Sequence, residues 1–253
     1  MTKCPSPRLP GSRNRYLREI VVVWRGGWGR LRTRLWIIVL ASVMGSALVW
    51  VGDDADKAWL EKLRLDDETA TQTADFVSNY TSDLALCVPL SLALWFWGIG
   101  TTRRRSRWRR LGLACLMATA MAGLSVTVVK RVVGRPRPNV TEAYLQEHYG
   151  PDRHPFYGLS LRSKLHSFPS GHTGTSTATG VSLIAASPIM IVPGVAYAAT
   201  VGWSRMQLRK HHPLDVAGGA VIGIVCGLCF ASTVPGSKIK LGRKKRSHRS
   251  TPR

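Results

Sequence analysis

The sequence predicts an all-α integral membrane protein with six transmembrane helices, and three observations lead to that prediction. Hydrophobic residues make up 45% of the 253 residues, and most of them fall into separate blocks. The net charge is +22, and most basic residues lie between the blocks. The acidic residues gather after the first block. This alternation is typical of a multi-pass membrane protein, and the lack of a basic stripe interleaved with aromatic residues argues against nucleic-acid binding.

Six apolar blocks define the predicted spans. Four of them contain 17 to 19 residues. A helix of that length rises about 25–29 Å, which is close to the thickness of the bilayer core. The fourth and fifth blocks are shorter and more polar, and six spans fit the alternation best. The blocks are residues 35–51, 84–100, 111–129, 173–187, 189–201 and 216–234.

The basic segments predict the orientation of the spans. They fall within residues 1–34, 103–110 and 235–253, which lie on the same side of a six-span chain. The positive-inside rule makes that side cytoplasmic, so both termini are predicted to be there. Anionic lipid headgroups are the expected partners of these segments. The predicted domains are a basic, partly disordered arm at 1–34, a six-span domain at 35–234 and a basic tail at 235–253.

Residues 52–82 hold most of the acids and belong to the outer side in this topology. Trp59, Leu60 and Leu63 recur at helical spacing, which predicts a short helix along the outer membrane surface. The apolar block before this segment also has the basic start of a signal peptide. It is longer than a usual signal core and no clear A-x-A site follows it, which favours an uncleaved anchor.

Three polar clusters stand at span ends that the topology places on the outer face. Together they supply cations, a hydroxyl, two histidines and a carboxylate, and a helix beginning near His172 would add unpaired N–H groups. This inventory suits a phosphoryl group, whose oxygens need charge-assisted donors while the reaction needs a nucleophile and an acid. The clusters contain Lys130 and Arg137, then Ser170, Gly171 and His172, then Arg205, His211 and Asp215.

Each of these residues also has a structural explanation when it is taken alone. Asp215 follows Pro213, where a helix is expected to begin, and acids are common in a first helical turn. Lys130 has the position of a snorkelling residue at a span end. The adjacent His211 and His212 rarely point to one ion, and zinc would need further ligands. Convergence of three clusters on one face is what favours a functional site.

The order and spacing of the clusters resemble the motifs of the type 2 phosphatidic acid phosphatase (PAP2) superfamily. Lys130 is followed after six residues by Arg137-Pro138, and Pro169-Ser170-Gly171-His172 comes next. Ser204-Arg205 is then followed by His211 and Asp215. The resemblance covers about residues 84–234, the expected catalytic core, and it implies a helical bundle with six spans in membrane members.

The resemblance also implies a role for each site residue. His211 is expected to attack phosphorus and form a phosphohistidine, Asp215 to fix the histidine tautomer, and His172 to protonate the leaving oxygen. The spacing from Lys130 selects Arg137 for phosphate binding and leaves Arg135 as second choice. No metal and no cofactor are implied. The residues expected to hold the phosphate oxygens are Lys130, Arg137, Ser170, Gly171 and Arg205.

The expected function is therefore a lipid phosphatase of the bacterial inner membrane with its active site on the periplasmic face. Compatible substrates are phosphatidic acid, phosphatidylglycerol phosphate, undecaprenyl diphosphate and lipid A 1-phosphate, and the sequence does not choose among them. One alternative is a lipid phosphotransferase that uses the same phosphohistidine. Another is a lipid-binding or transport protein without catalysis, although His172, His211 and Asp215 are all present.

Overall fold

The computed structural model describes residues 13–81, 83–99, 103–152, 154–237, 239 and 241, and helices dominate them. In this part of the chain there are nine α-helices, one π-helical turn, two 3₁₀ turns and no strand, which confirms the all-α prediction. The short turns are Asp83–Cys87, Ser163–Leu165 and Pro188–Met190. The helices are α1 (Arg13–Arg32), α2 (Leu35–Leu63), α3 (Glu68–Tyr80), α4 (Val88–Trp97), α5 (Arg103–Val133), α6 (Glu142–Tyr149), α7 (Gly171–Ala186), α8 (Ile191–Gln207) and α9 (Pro213–Ala231).

Helix α7 lies at the centre of the bundle, in contact with α5, α8 and α9. Protein surrounds it on these sides, and its hydroxyl side chains find partners within the bundle except Thr177, whose Oγ1 is buried without one. Ser182 donates to the carbonyl of Ala178 at 2.8 Å, and the hydroxyls of Thr119 on α5 and Thr179 on α7 lie 2.8 Å apart. A central helix whose hydroxyls are mostly satisfied does not need the apolar surface that a lipid-facing helix needs.

Glycines let α9 approach α7 closely. A Cβ added at Gly219 would lie 2.3 Å from the carbonyl oxygen of Ser170. One added at Gly223 would lie 2.4 Å from the carbonyl oxygen of Gly174 and 2.7 Å from the Cβ of Thr177. Small residues at the interface allow this close contact between the two helices.

Three helices in the described part of the chain are long and apolar enough to cross a membrane: α2, residues 106–133 of α5, and α9. A fourth span results if α3 and residues 85–97, which meet at an angle of 58°, are counted as one broken helix. Helices α7 and α8 have only 16 and 17 residues. The molecule is a multi-pass membrane protein, and the count of six spans stays a prediction.

The N-terminal basic segment is more ordered than the sequence predicted. Residues 13–32 form α1, which packs against α5 and α9, whereas residues 1–12 lie outside the described residues. A buried ion pair holds α1 in place: Glu19 meets Arg109 of α5 at 2.7 and 2.8 Å. Arg109 also donates to the carbonyl of Gly98 at 2.5 Å. The prediction of a partly disordered arm is therefore wrong for residues 13–32. Most of the predicted tail, including residues 242–253, lies outside the described residues.

The acidic segment 52–82 is largely helical, as predicted, but its first part continues α2 and its second part forms α3. Helix α2 runs through a kink at Gly52, whose φ of −120° and ψ of 24° are not helical. Beyond the kink Leu60 is buried at 2% exposure, whereas Trp59 and Leu63 are exposed. The segment therefore packs on the bundle through Leu60, and the three apolar residues do not share one face.

Gly223 is a sensitive position because α7 and α9 are too close there to leave room for a methyl group. Gly223→Ala is expected to destabilise the protein by about 1–3 kcal/mol, because the new Cβ overlaps α7 backbone. The measurement is the thermal unfolding midpoint in detergent. Gly29→Ala in α1 is the matched control, since its Cβ would meet nothing within 4 Å. Equal midpoints for the two variants would contradict the packing described here.

Candidate active site

The three polar clusters predicted from the sequence come together at adjoining helix ends. The backbone N–H of Ser170, just before α7, donates to the carbonyl oxygen of Asp215 in the first turn of α9 at 2.8 Å. A Cβ on Gly171 would lie 3.4 Å from the Nζ of Lys130 in the last turn of α5. These contacts join α5, α7 and α9 around one site.

The beginning of α7 offers donors to an anion. Ser170 is the residue before the first helical turn and is fully buried, and the Thr173 hydroxyl donates to its Oγ at 2.9 Å. The hydrogen of the Ser170 hydroxyl is thereby left to point elsewhere. The first N–H groups of a helix have no acceptor within the helix, and its dipole is positive at this end. His172 is the second residue of α7 and is half-buried.

His211 is buried beside Asp215 without being hydrogen bonded to it. Its exposure is 1%, and its Nδ1 lies 3.8 Å from Oδ2 of Asp215 and has no hydrogen-bond partner. Oδ2 is already occupied by the Ser167 hydroxyl at 2.5 Å and the backbone N–H of His212 at 2.8 Å. Catalytic hydrogen bonds are often long without substrate, and a movement of about 1 Å closes this one.

The electrostatic surroundings keep His211 neutral. Burial is the largest influence and lowers its pKa, the hydrogen-bonding capacity and charge of Asp215 raise it, and the charges of Lys130 and Arg205 lower it further. The resulting pKa of His211 is about 3. A neutral imidazole keeps a lone pair at pH 7, so the ring is able to act as a nucleophile or a base.

The two arginines of the Arg-Pro repeat have different partners. Arg135 is 1% exposed, and its Nη1 lies 2.7 Å from Asp215 Oδ1. Its Nη2 lies 2.9 Å from both Asp53 Oδ1 and Asp56 Oδ2 of α2. Burial acts to lower the pKa of Arg135, but the neighbouring carboxylates outweigh it and raise the pKa. Both terminal nitrogens of Arg135 are therefore engaged in ion pairs, whereas its Nε is buried without a hydrogen-bond partner.

Arg137 is the arginine left to meet a ligand. It is half-buried, and its Nε is enclosed without a hydrogen-bond partner. Burial lowers its pKa, and the charge of Asp215 only partly offsets this. An anion beside Arg137 would satisfy the guanidinium and restore its favourable electrostatics. The geometry thus favours the spacing-based choice of Arg137 over Arg135.

Arg205 and His212 occupy the remaining wall. Arg205 is buried, its Nη1 donates to the Ser78 hydroxyl of α3, and its Nε has no hydrogen-bond partner. His212 precedes the first turn of α9, and its Nδ1 lies 3.3 Å from Asp215 Oδ2. His212 therefore caps α9.

A pocket of about 370 Å³ adjoins the site beside Arg137. Its wall is formed by the polar end of α2, the loop after α5, and α6. Both carboxylates and cations line it, together with several prolines and leucines. Its lining includes Lys57, Glu61, Arg135, Arg137, Glu142, Leu145, His154 and His212.

Sequence reasoning missed Asp53, Asp56 and Ser167 as residues of the site, and it considered Arg135 only as a second choice for binding phosphate. Asp56 also accepts the backbone N–H of Leu214 at 3.0 Å, so it caps α9 as well as pairing with Arg135. One pattern could have predicted this ion pair: residues 52–82 are rich in acids, and the Arg-Pro pair that the motif spacing does not use was predicted to lie on the same side of the membrane. Among the described residues, no group of three or more His, Cys, Asp or Glu is able to hold a metal ion.

Comparison with known proteins agrees with this geometry. The sequence model of the PAP2 superfamily matches residues 111–238, just over half of the chain. The chain belongs to the PAP2 superfamily. It is 26% identical to undecaprenyl-diphosphatase BcrC of Bacillus subtilis over 62% of this chain and 72% of that protein. It is 28% identical to the lipid A 1-phosphatase of Rhizobium johnstonii over 47% of this chain and 51% of that protein, so it spans about half of the latter's length.

The fold comparison extends beyond the matched PAP2 segment. The crystal structure of a transmembrane PAP2-type phosphatidylglycerolphosphate phosphatase from Bacillus subtilis superimposes with a TM-score of 0.54 at 21% identity. The match covers 81% of this chain and 97% of that one. The two proteins share a fold, and the predicted resemblance to the PAP2 superfamily is confirmed.

Burial of a neutral His211 in this PAP2 site has a consequence for stability. The histidine pKa is about 6.5 in an unfolded chain, so between that pH and about 3 the unfolded state binds the extra proton. We therefore expect the free energy of unfolding of the wild-type protein to fall as the pH drops below about 6.5. In His211→Gln the free energy of unfolding should depend less steeply on pH. Thermal midpoints measured from about pH 7.5 to 4.5 test it, with exposed His148→Gln as control. An unchanged slope in His211→Gln would contradict the burial argument.

Proposed function

We propose that this protein is a membrane-bound lipid phosphatase that removes the terminal phosphate of a lipid phosphate or lipid diphosphate through a phosphohistidine on His211. The observation that carries the proposal is a buried, neutral His211 facing Asp215 beside the cations Lys130 and Arg205. A neutral nucleophile surrounded by positive charge suits an anionic phosphoryl centre. The carboxylate behind it suits the positive charge that the ring gains on attack.

In the first step the Nε2 lone pair of His211 attacks phosphorus while the bond to the lipid oxygen breaks. His172 gives its proton to that oxygen, so the lipid leaves as a neutral alcohol, or as the shorter phosphate from a diphosphate. The Nδ1 proton of His211 turns to Asp215, whose charge stabilises the ring. Acid catalysis of this kind contributes about 10²–10⁴-fold to the rate.

In the second step water attacks the phosphohistidine. His172, now neutral, takes a proton from the water as the new P–O bond forms and the P–N bond of His211 breaks. Inorganic phosphate leaves, and both histidines return to their starting states. The same residue thus acts first as acid and then as base.

The phosphate oxygens are held by groups that converge on the start of α7. Lys130, Arg137 and Arg205 supply the cations, and Ser170 and Gly171 supply the hydroxyl and backbone donors. The enclosed Nε atoms of Arg137 and Arg205 support this assignment, because buried donors without partners are costly until a ligand satisfies them. Developing charge on the oxygens is then stabilised by fixed donors in a site with little water.

The site is proposed to face the periplasm of a bacterial inner membrane, with six spans and both termini in the cytoplasm. The basic segments support this orientation through the positive-inside rule. Basic residues of α1, including Arg18, Arg25 and Arg32, are proposed to contact anionic lipid headgroups. Candidate substrates are phosphatidic acid, phosphatidylglycerol phosphate, undecaprenyl diphosphate and lipid A 1-phosphate, and the pocket beside Arg137 has room for part of a headgroup.

The proposal is tested by phosphate release from these four lipids with purified protein in detergent. We expect at least one substrate to be hydrolysed and His211→Ala to lower its turnover by about 10³-fold or more, since no other residue supplies the nucleophile. A radiolabelled phosphate should appear transiently on the wild-type protein in an acid-labile form and be absent from His211→Ala.

Exposed His148→Ala is the control for that experiment, because His148 lies on α6 outside the proposed machinery. Equal release by wild type and His211→Ala on every substrate would refute the phosphatase mechanism. Transfer of the label to an added alcohol in place of water would instead identify a phosphotransferase.

Arg162 and Lys164 are proposed to hold a second phosphate or an anionic headgroup. Both are exposed; Lys164 Nζ lies 3.6 Å from the centre of the Tyr144 ring, and the Lys164 carbonyl accepts the Arg137 N–H at 3.0 Å. Replacing both by alanine is expected to lower kcat/KM about tenfold more for diphosphate than for monophosphate lipids, since only the second phosphate loses its charged donors.

The control for this pair is Lys62→Ala with Arg131→Ala, which removes the same charge from two other exposed positions. It should affect both substrate classes equally. Equal loss for both classes in Arg162→Ala with Lys164→Ala would rule out the second phosphate contact.

A further inference from the structure

A single guanidinium ties three buried or half-buried carboxylates together behind the site. Arg135 pairs with Asp215 at 2.7 Å on one side and with Asp53 and Asp56 at 2.9 Å on the other. Arg135, Asp56 and Asp215 are at most 5% exposed. Acids this close would repel one another strongly in a buried setting without the cation between them.

The position of Arg135 determines which oxygen of Asp215 faces His211. Nη1 occupies Oδ1, which leaves Oδ2 on the side of His211 Nδ1 at 3.8 Å. A carboxylate held at one oxygen cannot rotate freely about its χ2 torsion, so the second oxygen keeps its direction. This is how an arginine that touches no reacting atom is able to control a nucleophile.

The other oxygen is fixed from the same loop. The Arg135 carbonyl accepts the Ser167 N–H at 3.0 Å, and the Ser167 hydroxyl donates to Asp215 Oδ2 at 2.5 Å. Arg135 therefore orients Asp215 twice, through its side chain and through Ser167. Displacement of this loop would move both supports together.

We infer that Arg135, anchored on α2 by Asp53 and Asp56, is a positioning residue that aims Asp215 at His211. The inference rests on the proposed phosphohistidine mechanism and adds a residue to it. It also gives the acidic end of α2 a role, because its carboxylates hold the far side of the guanidinium. The planar fork of arginine reaches α9 and α2 at once, which the single ammonium of lysine cannot do.

The inference predicts that Arg135→Ala lowers kcat by about 10–100-fold while KM stays within about twofold, as for other orienting residues behind a catalytic group. Arg137→Ala, which removes a proposed phosphate ligand, should raise KM. Because Arg135 lines the pocket of about 370 Å³, guanidinium ions are able to enter the space its side chain vacates. We expect added guanidinium to restore kcat in Arg135→Ala at concentrations that leave the wild-type thermal midpoint unchanged.

Two comparisons separate positioning from general stabilisation. Methylammonium has the charge without the fork and should not restore kcat, and Arg135→Lys should stay low for the same reason. Asp215→Ala should not respond to guanidinium. If Arg135→Ala does not fold, Asp53→Asn with Asp56→Asn removes the anchor while leaving the pair between Arg135 and Asp215, and it should lower kcat without raising KM.

The possible results are distinct. Unchanged kcat in a folded Arg135→Ala, a rise in KM like that of Arg137→Ala, or failure of guanidinium to act would each overturn the inference. So would wild-type kinetics in Asp53→Asn with Asp56→Asn if Arg135→Ala is unfolded. Wild type and His211→Ala are measured beside these variants: equal activity of that pair overturns the proposed function and this inference together, whereas the other results leave the proposed function standing.

Discussion

The approach of α9 to α7 is the constraint on which the rest of the site depends. Gly219 and Gly223 let the two backbones meet, and the first of these contacts lies against the carbonyl of Ser170. Immediately above it, the Ser170 N–H reaches the Asp215 carbonyl. The distance between the anion-binding start of α7 and the carboxylate of α9 is therefore set by helix packing. Loop flexibility between the helices has little influence on it.

The site is formed where helices end, and this location explains its electrostatics. Helix starts supply unpaired N–H groups, and the last turns of α5 and α8 supply Lys130 and Arg205. Burial of this positive surface is tolerable because carboxylates of α2 and α9 balance it through Arg135. His211 remains uncharged in this site, and the Nε of Arg137 lacks a hydrogen-bond partner. A bound phosphate dianion would supply that partner.

The sequence was sufficient for the helical class, the membrane setting and the residues that converge. Span ends and motif spacing placed Lys130, Ser170 and His211 on one face before any coordinates were known. The role of Arg135 depended on how α2 continues past Gly52, which no local pattern encodes. Helix α7 is less apolar than the three candidate spans because protein encloses it, so its composition reflects packing instead of lipid contact. Arg13–Arg32 looked like a loose arm since the pairing of Glu19 with Arg109 is distant in sequence.

Helix α5 carries Arg109, which pairs with Glu19, toward one end and Lys130 toward the other. Arg109 and Lys130 lie on this one helix, twenty-one residues apart. That separation corresponds to about 31 Å along a straight helix, close to the thickness of a hydrocarbon layer. Helix α5 thus carries charged residues at two levels that are separated by about the thickness of the hydrocarbon layer. Under the proposed function, a lipid whose tails occupy this layer would bring its phosphate to the level of Lys130, and the length of α5 would set the depth of the reaction.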